Sequence, residues 1–299
     1  MRTVYLGTSD FAADVLERLA ATPHRPVLVV TRPDRPRGRG QKVTPPPVAE
    51  SARRLGIELV QPEDLNGEEA RAAIGDSEPD VVCICAYGAI IREPLLSAHE
   101  MLNVHPSLLP RWRGAAPIER AIEAGDDATG VTIMRPTAEL DAGPLCLQRA
   151  DVIRPDDDYG SVSGRLAALG GELLVETLDL QPACREQPEE GVTYAEKIGR
   201  DDRRLDPKLM PDELERRVRA LRPHIGAFVE PPGGEVLGVV RAAITTEDGV
   251  DPGALVARDG RLLFGTAGGA LELLEVHPAG KRPMEAAAWL RGHATSLAG

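Results

Sequence analysis

Along the first half of the chain, short runs of apolar residues alternate with stretches in which apolar residues recur every three or four positions. The short runs predict buried β-strands, and the longer stretches predict amphipathic helices. Strands are predicted over residues 3–6, 27–30, 57–60, 81–85 and 101–105, and helices over 10–21, 47–55 and 68–74. This alternation is typical of an α/β fold, so we predict a Rossmann-like, mostly parallel sheet with helices on both faces.

The pattern changes after a long predicted helix over residues 159–178. Residues 181–203 are rich in proline and charge and carry few periodic apolar positions, which indicates a linker. From residue 228 onward, short apolar runs are separated by glycine-rich turns, which is typical of a small β-barrel. We therefore predict three parts: an α/β domain over 1–185, a linker over 186–206, and an OB-like C-terminal β-barrel over 207–299.

Composition indicates an ordinary globular protein and narrows its partners. Hydrophobic residues make up 42% and charged residues 27% of the 299-residue chain, which is ample material for a core. The formal net charge of −12 disfavours broad, nonspecific nucleic-acid binding but is compatible with a local basic surface. The sequence predicts no signal peptide and no membrane span, so we expect a cytoplasmic protein.

The four cysteines indicate neither a metal site nor a redox motif. None of them forms C-x-x-C, and no histidine lies at a zinc-ligand spacing from them. Cys83 and Cys85 lie two apart in an apolar run, so we expect them to share one face of a buried strand as core residues. This cysteine usage fits a reducing cytoplasm best.

Gly7 ends the first predicted strand, at the position where a dinucleotide-binding domain carries its glycine fingerprint. The residues that follow do not have the G-x-G-x-x-G spacing. A nicotinamide-dependent oxidoreductase is therefore disfavoured.

Two polar residues lie at the end of the predicted strand 101–105. Asn103 and His105 are two apart, so both side chains project from the same face of that strand, toward the crevice where such sheets bind ligands. An amide beside an imidazole suits the stabilisation of an oxyanion, and Asp141 could supply the carboxylate that orients the imidazole. A structural histidine and an aspartate that forms a turn remain open as alternatives at this point.

A longer motif surrounds these residues. Residues 103–118 read N-V-H-P-S-L-L-P-R-W-R-G-A-A-P-I, and residues 140–143 read L-D-A-G. Both segments resemble signatures of the folate-dependent formyltransferases. The resemblance implies that Asn103, His105 and Asp141 are the catalytic residues. It also implies a folate site lined by two loops, formed by Ala86, Tyr87 and Gly88 and by Ser107, Leu108, Leu109 and Pro110.

The same resemblance implies a mechanism. An amine attacks the formyl carbon of 10-formyltetrahydrofolate, which is the co-substrate, and a tetrahedral intermediate forms. Asn103 and a protonated His105 stabilise the oxygen of this intermediate, while Asp141 assists proton transfer. No metal is expected.

The basic segment 32–42 is the feature that indicates the formyl acceptor. It reads R-P-D-R-P-R-G-R-G-Q-K, and its proline and glycine residues predict an extended, mobile loop. The segment is similar to an insertion in those family members that formylate methionyl-tRNA, where it reaches into the acceptor arm of the initiator tRNA. The resemblance therefore implies initiator methionyl-tRNA as the partner, with contacts from Arg35, Arg37, Arg39 and Lys42.

The C-terminal part resembles the same tRNA-formylating enzymes at residues 193–198 and 280–284, but it departs from the expected charge. It carries no net positive charge. Its cations gather near the predicted helix 211–221, with acidic residues between them, at Lys208, Arg216, Arg217, Arg219 and Arg222. We therefore expect the basic segment 32–42 to carry more of the tRNA recognition.

Two further functions stay open. The first is formylation of a small amine, such as an amino sugar nucleotide or glycinamide ribonucleotide, by the same chemistry. The second is a folate-binding or RNA-binding module without activity, which the presence of Asn103, His105 and Asp141 disfavours. We expect a monomer.

Overall fold

The computed structural model describes residues 1–37, 42–231 and 235–293. The chain divides into two compact units. Unit 1 comprises Met1–Pro117, Ala128–Val152 and Ser163–Ala195. Unit 2 comprises Ile118–Asp127, Ile153–Val162 and Glu196–Gly299.

The elements up to residue 195 alternate between strands and helices. In chain order they are β1 (Thr3–Gly7), α1 (Asp10–Ala20), β2 (Pro26–Val30), β3 (Arg35–Arg37), β4 (Lys42–Thr44), α2 (Pro47–Leu55), β5 (Glu58–Val60), α3 (Glu68–Asp76), β6 (Val81–Cys85), α4 (Leu95–Ala98), β7 (Met101–His105), β8 (Arg113–Gly114), α5 (Pro117–Ala124), β9 (Ala128–Met134), β10 (Leu145–Val152), α6 (Tyr159–Leu180) and β11 (Tyr194–Ala195).

The main sheet of unit 1 has the strand order β10-β9-β7-β6-β1-β2-β5 in the described part of the chain. The strands from β7 to β5 are mutually parallel, which confirms the predicted Rossmann-like fold. At the other edge, β9 pairs antiparallel with both β7 and β10. The segment 135–144 joins β9 to β10 without a helix, and a parallel pair would need a crossover of about a dozen residues or more.

The central strands are buried because helices cover both faces of a parallel sheet. All residues of β1 and β6 are buried, and Val4, Leu6 and Val82 lie in one apolar cluster with residues of β2, α3 and α4. Cys83 and Cys85 are fully buried, as their position in an apolar run predicted. Burial raises the pKa of each of these two thiols to about 12.

The raised pKa values make both thiols inert in the native protein. The thiolate is the reactive species, and at about pH 8 a thiol with this pKa is ionised in roughly one molecule in ten thousand. We expect iodoacetamide to leave Cys83 and Cys85 unmodified in the folded protein, as read by peptide mass spectrometry. The same treatment in guanidinium chloride should alkylate both. Rapid alkylation of either residue in the folded protein would contradict the burial described above.

Part of the basic segment lies in a two-stranded ribbon formed by β3 and β4. β3 pairs antiparallel with β4, with Arg35 opposite Thr44 and Arg37 opposite Lys42. The sequence predicted an extended loop here and did not anticipate the strand pairing. Arg39 lies outside the described residues.

Unit 2 is built on an antiparallel sheet. Its elements after residue 195 are α7 (Arg200–Arg203), α8 (Pro211–Leu221), β12 (Ala227–Val229), β13 (Leu237–Thr245), β14 (Leu255–Arg258), β15 (Arg261–Thr266), β16 (Gly269–Pro278), β17 (Met284–Glu285) and α9 (Ala286–Leu290). The described strands follow the order β12-β13-β16-β15-β14, and β17 pairs with β16. The sheet curls into a half-barrel whose core includes Leu214 and Val218 of α8. This confirms the predicted C-terminal β-domain.

The segment predicted as a linker, residues 186–206, contains local structure. Its first part lies in unit 1, where Tyr194 and Ala195 pair with β8. Its second part contains α7 and lies in unit 2. The predicted boundaries at 185 and 206 remain a prediction.

Candidate active site

Asn103 and His105 lie at the carboxyl end of β7, between β6 and β9. His105 is buried, with 4% of its surface exposed, whereas Asn103 is half-buried. Within the described parts of the chain, the Asn103 side-chain amide forms no hydrogen bond. An amide without a protein partner at the expected ligand edge is available to donate to a bound molecule.

The His105 ring is held by a hydrogen bond at Nε2 and faces Asp141 with Nδ1. Nε2 lies 2.9 Å from the carbonyl oxygen of Trp112, and a carbonyl can only accept, so Nε2 carries a hydrogen. Nδ1 lies 3.6 Å from Oδ2 of Asp141, which is too long for a hydrogen bond. The structure therefore brings the predicted histidine and aspartate together and leaves Nδ1 as the ring nitrogen that faces the carboxylate.

Asp141 is positioned by backbone geometry that few residues allow. It has a φ of 48°, in the left-handed region where Asn and Asp are more frequent than other non-glycine residues. Its Oδ2 accepts a hydrogen bond of 2.9 Å from the N–H of Gly114. Two residues further, a Cβ on Gly143 would lie 1.9 Å from the carbonyl oxygen of Arg135, so this turn can only be made with glycine there.

The loop Ser107–Pro110, predicted to line the folate site, is fixed by bonds inside unit 1. Ser107 is fully buried, and its hydroxyl donates to the carbonyl oxygen of Arg111 at 2.7 Å. The hydroxyl of Thr132 donates to the carbonyl of Ser107 at 2.7 Å and accepts from the N–H of Leu109 at 3.2 Å. Leu109 is buried, whereas Leu108 and Pro110 are half-buried. Ser107 and Leu109 therefore shape the loop from inside.

The second predicted loop, Ala86–Gly88, follows β6 directly. Ala86 and Gly88 are exposed and have φ values of 43° and 80°, whereas Tyr87 is buried, which raises its pKa to about 12. The hydroxyl of Thr8 donates to the carbonyl of Tyr87 at 2.8 Å, and Arg32 donates to the carbonyl of Gly88 at 2.6 Å. Within the described residues, the backbone N–H groups of this loop have no acceptor. These N–H groups can therefore bind a ligand.

Among the predicted tRNA contacts, Arg35 and Lys42 have described side chains, and both are exposed on the ribbon. Arg35 lies 3.8 Å from Glu63, with both side chains largely in solvent, so the pair is weak and each side chain can rearrange. Lys42 is exposed. Arg32, at the start of the basic segment, instead supports the loop Ala86–Gly88.

The arginines of α8 are already paired within unit 2. Arg216 bonds to Asp212 at 2.8 Å and Arg219 to Glu215 at 2.8 Å, both one helical turn apart. Arg217 pairs with Glu123 elsewhere in unit 2. Arg222, which directly follows the helix, pairs with Asp158 of the same unit. These four cations support the packing of α8, and contact with RNA would require the pairs to break.

Several residues that organise the site were assigned no role from the sequence. Trp112, Arg113 and Gly114 lie within the recognised motif, but nothing in their side chains indicated that their backbone would hold His105 and Asp141. Gln187 lies in the segment predicted as a linker, yet it contacts the Asp141 turn. Cys146 and Cys184 form a disulfide that the spacing of the cysteines did not predict.

No three His, Cys, Asp or Glu side chains in the described ranges are placed to hold a metal ion together. None of the described helices is long and apolar enough to span a bilayer.

Comparison with known proteins adds to this geometry. Residues 1–178 match the family described as formyl transferase, and residues 197–294 match the formyl transferase C-terminal domain. The methionyl-tRNA formyltransferase of Methylococcus capsulatus is 44% identical over 301 residues, covering 98% of this chain and 97% of that protein. The enzyme of the same name from Halorhodospira halophila is also 44% identical, covering 97% and 96%.

Solved structures share the fold at lower identity. The methionyl-tRNA formyltransferase from Clostridium thermocellum has a TM-score of 0.60 at 14% identity, covering 82% of this chain and 94% of that one. HypX from Aquifex aeolicus, solved in complex with tetrahydrofolic acid, has a TM-score of 0.65 at 20% identity. The alignment covers 98% of this chain but only 47% of HypX, so this chain spans about half the length of that protein.

Proposed function

This chain belongs to the formyl transferase family, and on that premise we propose that it transfers the formyl group of 10-formyltetrahydrofolate to the amino group of methionine on initiator methionyl-tRNA. Both family domains are present, and the similarity to methionyl-tRNA formyltransferases covers nearly the whole length of each chain. The observation that carries the proposal is the convergence at one strand end of Asn103, whose amide has no partner among the described residues, with the pair of His105 and Asp141. Such a set can stabilise an oxyanion and move a proton.

The two loops beside these residues fit a folate. The N–H groups of Ala86–Gly88 have no acceptor in the described part of the chain, which suits the polar edge of a flat heterocycle. Leu108 and Pro110 offer partly exposed apolar surface on the other loop. When bound there, the folate supplies the activated formyl group; the protein supplies its orientation.

Asn103 acts on the formyl oxygen. As the amine adds to the formyl carbon, negative charge develops on that oxygen, and the Asn103 N–H can donate to it. Because this amide has no partner among the described residues, no protein hydrogen bond must break first. Donors placed in this way are worth on the order of a hundredfold to a thousandfold in rate.

His105 and Asp141 accept the proton that the attacking amine releases. The bond from Nε2 to Trp112 keeps one hydrogen on that side of the ring. The proton released by the attacking amine can therefore be held at Nδ1 of His105 or at the Asp141 carboxylate facing it, and it can pass to the folate nitrogen when the bond between that nitrogen and the formyl carbon breaks. A shift of a few tenths of an ångström would turn this contact into a hydrogen bond, as often happens when substrate binds.

The choice of acceptor is tested directly by activity. Purified protein is incubated with 10-formyltetrahydrofolate and methionine-charged initiator tRNA, and formylmethionyl-tRNA is separated and counted. Uncharged tRNA is the control, and an amino sugar nucleotide and glycinamide ribonucleotide are the competing acceptors. Formylation of a small amine in place of the charged tRNA would overturn the proposal.

Recognition of the tRNA is assigned to the basic segment 32–42, through Arg35, Arg37, Arg39 and Lys42. Cations on an exposed ribbon can contact phosphates and release counterions, which makes binding depend on salt. We further propose a monomeric enzyme that acts in the cytoplasm, with a catalytic domain over 1–185 and a C-terminal tRNA-binding domain over 207–299.

Replacing two cations of the ribbon separates tRNA binding from catalysis. We expect Arg35→Ala combined with Lys42→Ala to raise KM for methionyl-tRNA about tenfold. The slope of log KM against the logarithm of the salt concentration should fall by about one to two, since two phosphate contacts are lost. Arg32 is kept, because it supports the folate loop. The matched control removes two cations away from the ribbon, Arg71→Ala with Arg149→Ala. Equal effects of the two pairs would mean that only net charge matters.

A further inference from the structure

We propose that Gln187 is a positioning residue of the active site, which sets the orientation of the Asp141 carboxylate toward His105. Gln187 touches neither His105 nor the reacting atoms; it acts through the backbone of the turn that carries Asp141. The inference rests on the proposed formyl transfer, since it concerns the same catalytic residues.

Both the nitrogen and the oxygen of the Gln187 side-chain amide form hydrogen bonds. Its Nε2 donates to the carbonyl oxygen of Asp141 at 2.7 Å and to that of Gly143 at 2.9 Å. Its Oε1 accepts from Nε and Nη2 of Arg113, at 3.1 and 2.7 Å. A guanidinium can only donate and a carbonyl can only accept, so the orientation of the amide is fixed by its surroundings. Four hydrogen bonds make Gln187 a rigid bridge.

The bridge closes a ring around the carboxylate. Arg113 holds Gln187, Gln187 holds the backbone of the turn, and the N–H of Gly114 holds the Asp141 carboxylate at 2.9 Å. Arg113 and Gly114 are consecutive residues of β8. Asp141 is therefore fixed both by its backbone and by its side chain to the same short strand.

The turn needs such support because its backbone is not relaxed. Asp141 has a φ of 48°, in the left-handed region that a residue other than glycine keeps only where the surrounding structure holds it. The two carbonyls that Gln187 binds flank Ala142 and belong to this strained turn. Without these bonds the turn has a route to a more extended conformation, which would move the carboxylate.

The segment that carries Gln187 is itself anchored next to the turn. Leu145 and Arg185 exchange two backbone hydrogen bonds of 2.7 and 2.9 Å. These contacts place residues 184–187 alongside residues 143–146. This anchored stretch of chain therefore holds Gln187 next to the Asp141 turn.

The distance between Asp141 and His105 makes the site sensitive to this bridge. Nδ1 and Oδ2 are 3.6 Å apart, so a small displacement of the turn decides whether a proton can pass between them. A misplacement of about 1 Å can lower a catalytic rate by about a hundredfold. Gln187 is accordingly expected to affect the chemical step and not the binding of either substrate.

The sharpest variant is Gln187→Glu. A glutamate keeps the two acceptor bonds from Arg113 and adds charge to them, but it cannot donate to the carbonyls of Asp141 and Gly143. We expect kcat for formylation of methionyl-tRNA to fall about tenfold to a hundredfold, with KM for the folate and the tRNA within about twofold of wild type. The control is Glu186→Gln, the reverse exchange one residue earlier on an exposed side chain. It should leave kcat and KM unchanged.

A double-mutant cycle tests whether Gln187 acts through Asp141. In an Asp141→Asn background, Gln187→Glu should lower kcat by less than about twofold, because the group it positions is already lost. Thermal unfolding of each variant shows whether it is folded. If Gln187→Glu does not fold, Gln187→Ala replaces it in the same cycle.

The outcomes separate the inference from the proposed function. A wild-type protein without formylation of methionyl-tRNA overturns the proposed function. An active wild type with an unchanged kcat in Gln187→Glu overturns the inference alone. A rise in KM without loss of kcat, or an equal loss in both backgrounds, also overturns it.

Discussion

Asn103→Ala lowers kcat for formyl transfer by on the order of a hundredfold or more, which corresponds to about 2.7 kcal/mol of transition-state stabilisation. The physical reason is the loss of the donor that meets the negative charge on the formyl oxygen. The fold should be unaffected, because the Asn103 amide forms no hydrogen bond within the described residues that the alanine would leave unpaired. Single-turnover formylation of methionyl-tRNA, with thermal unfolding in parallel, measures both effects.

Asn103→Asp serves as the matched variant, since it has the same shape but an oxygen in place of the donor. A carboxylate at this position accepts only and opposes a developing oxyanion, so we expect a loss at least as large as that of the alanine variant. Near-normal single-turnover rates in either variant would remove Asn103 from the mechanism.

Asp141→Asn is expected to have an effect of similar or greater size, with a loss in kcat on the order of a hundredfold to a thousandfold. The asparagine oxygen can keep the bond from the N–H of Gly114, and asparagine tolerates the φ of 48°. The variant should therefore fold. It loses the carboxylate that can take up a proton, because the oxygen that keeps the Gly114 bond then faces Nδ1 of His105 as a neutral amide oxygen.

Pre-steady-state measurement distinguishes this loss from a change in binding. With saturating folate and tRNA, the single-turnover rate should fall by the same factor as kcat, while KM for each substrate stays within a few-fold. Asp141→Ala is the informative comparison: alanine is strained at this φ, so it should lose stability as well as rate. An asparagine variant with a rate within a few-fold of wild type would show that Asp141 is only a turn former.

Much of the fold followed from local pattern. Parallel strands covered on both faces are largely apolar along their length, so the apolar runs in β1, β2 and β6 were visible without any partner. The boundaries of α2 were equally local: Pro47 begins it, and Gly56, with a φ of 66°, ends it. The helix α8 was predicted by its apolar positions Leu214, Val218 and Leu221, which the structure buries in the core of unit 2.

The antiparallel edge and the short elements were not visible in the same way. β8 and β11 are two residues long and exist only because they pair with each other. The ribbon of β3 and β4 depends likewise on pairing across residues that carry no apolar alternation. Such elements are stabilised by partners distant in the chain, so local propensity contains little information about them.

The sequence by itself determined the chemistry of this protein. Two polar side chains, Asn103 and His105, lie two residues apart at the end of a buried strand, and strand geometry alone directs both toward the ligand edge. The surrounding motif identified the family, and the comparisons confirmed it. These features are short in range, so they can be read from consecutive residues.

Only the tertiary structure decided how that chemistry is held in place. It brought Asp141 to within 3.6 Å of Nδ1 of His105, although 36 positions separate the two residues in the numbering (141 − 105 = 36). In the folded chain Gln187 contacts the Asp141 turn. Arg216 and Arg217 of α8 form ion pairs within unit 2. A side chain's partner in such contacts depends on the path of the whole chain. The orientation of the Asp141 carboxylate is therefore a property of the folded protein.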